Sequence, residues 1–182
     1  MTNQMQQLIE EMLDVGRFER GQVMLDRDNT VLQEVVTEAV NSYQPRASRR
    51  SVTLSTELAE HPIKVLVDEK RMVQVVTNLI SSAVNHTPQD GRVNVSVKID
   101  PNSNGKKSAL VQVQDSGVGI SQDMLSQVFQ PFATASQGLV GGTILGLSLA
   151  KEIVELHGGE IKAENNESGS TVFTIKLPIL NA

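Results

Sequence analysis

Two glycines spaced by one residue follow a carboxylate in Asp115-Ser116-Gly117-Val118-Gly119-Ile120. Glycine permits positive φ and close approach of backbone to a ligand. A carboxylate at that point can accept a hydrogen bond from an exocyclic amine such as adenine's. By itself the pattern is also that of a tight turn with a solvated Asp. A second glycine element, Gly141-Gly142-Thr143-Ile144-Leu145-Gly146-Leu147-Ser148, opens a helical pattern. The free N–H groups and dipole of a helix N-terminus favour phosphate, whereas a plain helix cap is the competing reading. The third element is a stripe of Gln74, Asn78, Ser82 and Asn85 at helical spacing, which puts four polar side chains on one face. It is a solvated face or a ligand surface. An Asn amide oxygen suits Mg²⁺, which takes oxygen ligands.

These residues need a scaffold, and the patterning supplies one. Val93, Val95, Val97 and Ile99 alternate as a strand, PNSNGKK makes a polar hairpin loop, and Leu110, Val111 and Val113 lead back to Asp115. Val52, Leu54 and Thr56 form another strand, and Ile63, Val65 and Val67 a further one. Asp68 caps a long helix that runs to about Asn85, where Thr87-Pro88 stops it. Thr30 with Gln33 reads as a capping box before a helix from Val31 to about Ser42, and residues 23–25 read as a short strand. A short helix spans 121–128, another runs from about Ile144 to Leu156, and strands 160–164 and 171–177 close the chain. The expected fold is a two-layer α/β sandwich, a mixed sheet backed by helices. Ahead of it, Met5, Leu8, Met12 and Val15, with Ile9 and Leu13 beside them, put an apolar stripe on an N-terminal helix. Such a stripe is half of an interface.

Composition excludes several classes. The 182 residues carry no cysteine, so disulfides and thiolate chemistry are absent. A formal net charge of -5 argues against a nucleic-acid partner. No apolar run approaches the roughly 18–20 residues that cross a bilayer. The polar start reads as neither a signal nor a transit peptide.

As an ordered set, the motifs resemble the nucleotide-binding boxes of sensor histidine kinases, within the superfamily of gyrase, Hsp90 and MutL. DEKRMVQVVTNLISSAVNHTP looks like the N box and VQVQDSGVGI like the first glycine box. VFQPF looks like the phenylalanine box, and GGTILGLSLAKEIVELHGGEI like the second glycine box with its helix and strand. GSTVFTIKLP matches the closing strand. LIEEMLDVGRFERG resembles the end of the dimerisation and phosphotransfer helices.

The resemblance implies a Bergerat-type ATP-binding fold with two parts. Residues 1–21 would end the helical phosphotransfer segment, and residues 22–182 would be the catalytic domain with a lid at 129–143. It implies ATP and Mg²⁺ as ligands, with Asp115 on the adenine amine, Gly117 and Gly119 shaping the pocket, and Asn78 holding magnesium. Ser82, Asn85, His86, Ile120 and Phe132 would line the site, with Gly142, Thr143, Gly146 and Leu147 near the phosphates and Thr171 in the adenine-side network. The implied partners are a phosphoacceptor helical domain of the same kinase, homodimeric in the parent, and a response regulator. The implied compartment is the cytoplasm, whether or not the parent is membrane-anchored. ATPases of the superfamily place a glutamate general base where this chain has Asn78, and an amide cannot take a proton that way.

Several positions depart from the family pattern. Ser82 stands for a second Asn, Asn85 for a lysine, His86 for an aromatic and Ile144 for a glycine, and residues 129–150 contain no basic side chain. The alternative reading is therefore a degenerate domain that regulates a partner kinase or response regulator by docking. None of the three histidines, His61, His86 and His157, lies in the N-terminal helical stripe, so the chain is expected not to phosphorylate itself at the family's site.

Overall fold

The computed structural model describes residues 2–131 and 146–180. Helix α1 (Thr2–Glu19) comes first, then strand β1 (Asp28–Val31), helix α2 (Leu32–Arg49) and strands β2 (Thr53–Leu58) and β3 (Lys64–Val67). Helix α3 (Glu69–His86), the hairpin β4 (Arg92–Ile99) and β5 (Ser108–Asp115) and the short α4 (Gln122–Leu125) follow. Helix α5 (Gly146–Leu156) and the hairpin β6 (Glu160–Asn165) and β7 (Thr171–Pro178) complete the chain.

The main sheet is mixed, in the order β2-β4-β5-β7-β6, with β2 parallel to β4 and the remaining pairs antiparallel. A separate ribbon pairs β1 with β3 antiparallel. Alternation decides which face is covered. Val93, Val95 and Val97 of β4, Val111 and Val113 of β5, and Phe173, Ile175 and Leu177 of β7 are buried under the helices. The opposite face carries Ser55, Asn94, Gln112 and Thr174, with Gln112 donating to Thr174 and Ser55 to Asn94. Helices α2, α3 and α5 lie side by side on the apolar face, with α3 between the other two. This is the expected two-layer α/β sandwich.

Local differences from the sequence reading have physical causes. Residues 23–25 are not a strand; the first strand begins at Asp28, where it pairs with β3. The capping box does not form. Val31 occupies the N-cap position, and Gln33 turns outward to donate to Ala59 O and His61 O and to accept from Ile63 N. Helix α2 continues past Ser42 and through Pro45, because buried Tyr43 and Ala47 extend its apolar stripe. Strand β5 begins at Ser108, with Ala109, Val111 and Val113 buried.

Helix α1 packs on α5. Phe18 is buried and Val15 packs partly on the core, whereas Met5, Ile9, Met12 and Leu13 are exposed. Asp14 pairs with Arg71 of α3 at 2.9 Å, and the Arg71 guanidinium lies over the Phe18 ring. Among the described residues no helix is long and apolar enough to cross a membrane.

Candidate nucleotide site

Helix α3 starts where Asp68 caps it, its carboxylate accepting from Arg71 N. The same carboxylate accepts from Asp26 N at 3.0 Å, and Asp68 N donates to His157 Nε2 at 3.0 Å. His157 sits at the end of α5 with Nδ1 2.7 Å from Ile153 O. A carbonyl only accepts, so Nδ1 carries the proton and Nε2 the lone pair. Burial holds the His157 pKa below its ordinary value, against a smaller opposing effect of the Ile153 bond. This buried neutral histidine ties the start of α3 to the end of α5.

Further along, Asn78 is buried and its Nδ2 donates to Gly146 O, the first residue of α5, at 3.1 Å. Ser82 lies one turn on, also buried. Its carbonyl accepts from His86 Nδ1 at 2.7 Å, which leaves His86 Nε2 as a buried acceptor without a partner among the described residues. Arg50, at the end of α2, donates to Asn85 O at 3.4 Å. Thus α3 presents Asn78, Ser82, Asn85 and His86 along one side, from the start of α5 to the end of β5.

Asp115 ends β5 and is 4% exposed. Its Oδ1 accepts from Gly117 N at 2.9 Å and from Thr171 N at 3.3 Å. Oδ2 accepts no hydrogen bond from the described residues. Burial raises the Asp115 pKa, while the bonds from Gly117 and Thr171 and the nearby His86 pull it down. Gly117 is pressed on α3: a Cβ there would lie 2.7 Å from His86 O. Gly119 has φ +80°, and a Cβ would lie 2.2 Å from Gly169 O. The loop thus needs both glycines, the first for clearance and the second for conformation and clearance.

Sequence reasoning did not single out the turn between β6 and β7. Asn165, the last residue of β6, and Ser170 flank that turn, and both bind the 115–120 loop with their side chains. Asn, Ser and Gly there read as an ordinary hairpin turn, and nothing in their spacing points across 45 residues to Ile120. The structure brings together Asn78, Ser82, His86, Asp115, Gly117, Gly119, Ile120, Thr171, Gly146 and Leu147 at one end of the sandwich. Phe132, Gly142 and Thr143, with most of the expected lid, lie outside the described residues. Among the described residues no cluster of His, Asp and Glu could hold a metal ion unaided.

A buried carboxylate with one oxygen free of hydrogen bonds from the described residues, two glycines without room for a Cβ and an Asn-tethered helix start lie at this end of the sandwich. Residues 67–181 match the model of the histidine kinase-, DNA gyrase B- and HSP90-like ATPases. The chain belongs to this family. Within the family it is a histidine kinase ATP-binding catalytic domain.

Its relatives include AfsQ2, a signal transduction histidine-protein kinase of Streptomyces coelicolor, 34% identical over 179 residues. That match covers 97% of the chain and 31% of the relative. The circadian input-output histidine kinase CikA of Synechococcus elongatus is 33% identical over 94% of the chain and 23% of its own length. The chain therefore spans less than a third of these relatives. Among solved structures, the catalytic domain of the histidine kinase ThkA superposes with a TM-score of 0.71 at 28% identity, covering 84% of the chain and 95% of that domain. Full-length ShkA in complex with AMPPNP gives 0.82 at 19% identity, covering 97% of the chain and 36% of that protein. At that identity the likeness is one of fold.

Proposed function

We propose that this chain binds Mg-ATP and donates the γ-phosphoryl group to a histidine on a helical phosphoacceptor domain, in a dimeric cytoplasmic kinase that signals to a response regulator. The open Oδ2 of buried Asp115 carries this reading. With Oδ1 committed to two backbone N–H groups, Oδ2 is placed to accept one hydrogen bond, and the adenine amine is a suitable donor. Gly117 and Gly119 let the loop pack closely on His86 O and Gly169 O next to this carboxylate, and Ile120, Thr171 and His86 would border the base.

At the other end, the start of α5 at Gly146 and Leu147 would face the phosphates, together with Gly142 and Thr143. Asn78 would hold magnesium through Oδ1, since Nδ2 is already donated to Gly146. Such a cation would neutralise charge on the phosphates. The protein's share is then positioning: Asn78 and the α5 start fix the tail, and Asp115 fixes the base. Asn78 offers no general base to activate water, which keeps the phosphoryl group for transfer. The acceptor would be separate. His157 is bonded through both ring nitrogens, His86 sits inside the site, and His61 lies in the β2–β3 loop. Residues 1–21 would continue into the phosphotransfer helices, presenting Met5, Ile9, Met12 and Leu13 to them.

Calorimetric titration with Mg-ATP tests the proposal. Micromolar binding is expected. Asp115→Asn presents an N–H towards the amine and should weaken it by about 10- to 100-fold, the loss of one charge-assisted hydrogen bond. Absence of binding by the unsubstituted chain at millimolar nucleotide would sink the reading.

A further inference from the structure

One rung of the β6–β7 ladder holds both ends of the loop at residues 115–120. Asn165 and Thr171 are register partners, the pair at the end of the hairpin nearest its turn. Thr171 N donates to Asp115 Oδ1, at the start of the loop. From the other side of the same rung, Asn165 Nδ2 donates to Ile120 O at 2.6 Å and Asn165 Oδ1 accepts from Ile120 N at 3.1 Å, at its end. Between these two attachments, Ser170 Oγ donates to Gly117 O at 3.1 Å. The turn is itself fixed, with Asn166 Oδ1 accepting from Ser170 N and Ser168 Oγ.

The fit is close as well as bonded. A Cβ on Gly119 would lie 2.9 Å from Asn165 Oδ1, so the loop rests directly on the amide. Asn is suited to this place. Its amide offers one donor and one acceptor in a plane, which matches the carbonyl and N–H of a single residue. A carboxylate has no donor for Ile120 O, and a shorter hydroxyl cannot make both bonds at once.

We propose that Asn165 is a positioning residue for the nucleotide base. By binding both backbone groups of Ile120 it sets the distance between the glycine loop and the Asp115 carboxylate, which the same rung holds through Thr171. Asn165 does not touch the nucleotide; it acts through Ile120 and Gly119. The inference rests on the reading of this loop as the adenine pocket.

The test is Asn165→Ala against Ser168→Ala, a control in the same turn whose hydroxyl bonds only Asn166. Affinities for ATP and ADP are measured by calorimetry, and the nucleotide-free unfolding midpoint by thermal denaturation. Asn165→Ala should weaken ATP and ADP by the same factor, about tenfold for two neutral hydrogen bonds, because only the base end moves. Ser168→Ala should bind as the unsubstituted chain does. Should the alanine variant fold poorly, Asn165→Asp decides. It keeps the acceptor for Ile120 N, sets a carboxylate against Ile120 O, and should show the same parallel loss.

Unchanged affinity in a folded variant overturns the inference while leaving the nucleotide reading intact. A loss confined to ATP also overturns it, since the effect would then lie at the phosphate end. An unsubstituted chain that binds neither nucleotide overturns both.

Discussion

His157 and Gly119 each hold a place that no other residue type fills without cost. The lone pair on His157 Nε2 receives Asp68 N, and protonation removes that acceptor. Its folded-state pKa lies below the unfolded value, so the histidine contributes stability that is complete above about pH 6.5 and is lost as pH falls through the folded pKa. Urea unfolding between pH 7.5 and 5 should show this loss, with a slope of up to about 1.4 kcal/mol per pH unit. His157→Gln should flatten that part of the profile.

For Gly119, the comparison is with Gly105, at φ +85° in the β4–β5 loop with open space around its Cβ position. Gly105→Ala should cost about 1 kcal/mol from backbone strain alone. Gly119→Ala adds a clash with the carbonyl of Gly169, so it should cost more in urea unfolding and should also abolish nucleotide binding by calorimetry. At this scale the sequence was readable where a residue's chemistry is carried by its own type. Asp115 and the two glycines announce themselves. Asn165 does not, because its role comes from a strand register that aligns it with Thr171.

The elements that were legible are those whose own periodicity fixes them. Helix α3 and the β4–β5 hairpin follow from their apolar spacing and caps. Helix α2 was misjudged at both ends. Thr30 and Gln33 have the letters of a capping box, but Gln33 makes three bonds to the segment before β3, a tertiary arrangement invisible in a window of four residues. Helix α1 illustrates a second kind of blindness. Its stripe was visible, but not that it divides, with Phe18 buried against the domain and Met5, Ile9, Met12 and Leu13 left outside.

The attachment of α1 leans on Arg71, which meets Asp14 and the Phe18 ring together. Because both partners are largely shielded from solvent, Arg71→Ala should cost more than an exposed pair, about 1–2 kcal/mol. The expected sign of release is faster tryptic cleavage at Arg20 and Arg27, with the affinity for ATP changed less than twofold. Cleavage at the unsubstituted rate would show that α1 is held elsewhere.

At the scale of the whole molecule, the loop at residues 115–120, the start of α5 and the polar side of α3 lie at one end of a sandwich whose other sheet face stays polar. The chain supplies a nucleotide site and, in our reading, no phosphoacceptor. Incubation with labelled ATP should therefore leave no acid-labile phosphate on it, and appearance of such a phosphate would contradict the division of labour proposed above.

The bond from Asn78 to the first residue of α5 bears on how such a domain can change over generations. A glutamate at position 78 would bring a base, but it would have no N–H for Gly146 O. Two carbonyl-type oxygens would then face each other in a buried cleft. A drift from donor towards hydrolase thus cannot pass through that single replacement without loosening the helix start that would grip the phosphates. In our reading, the substitution that would bring a base first damages the helix start, so the identity of residue 78 is restrained by a hydrogen bond as well as by the reaction.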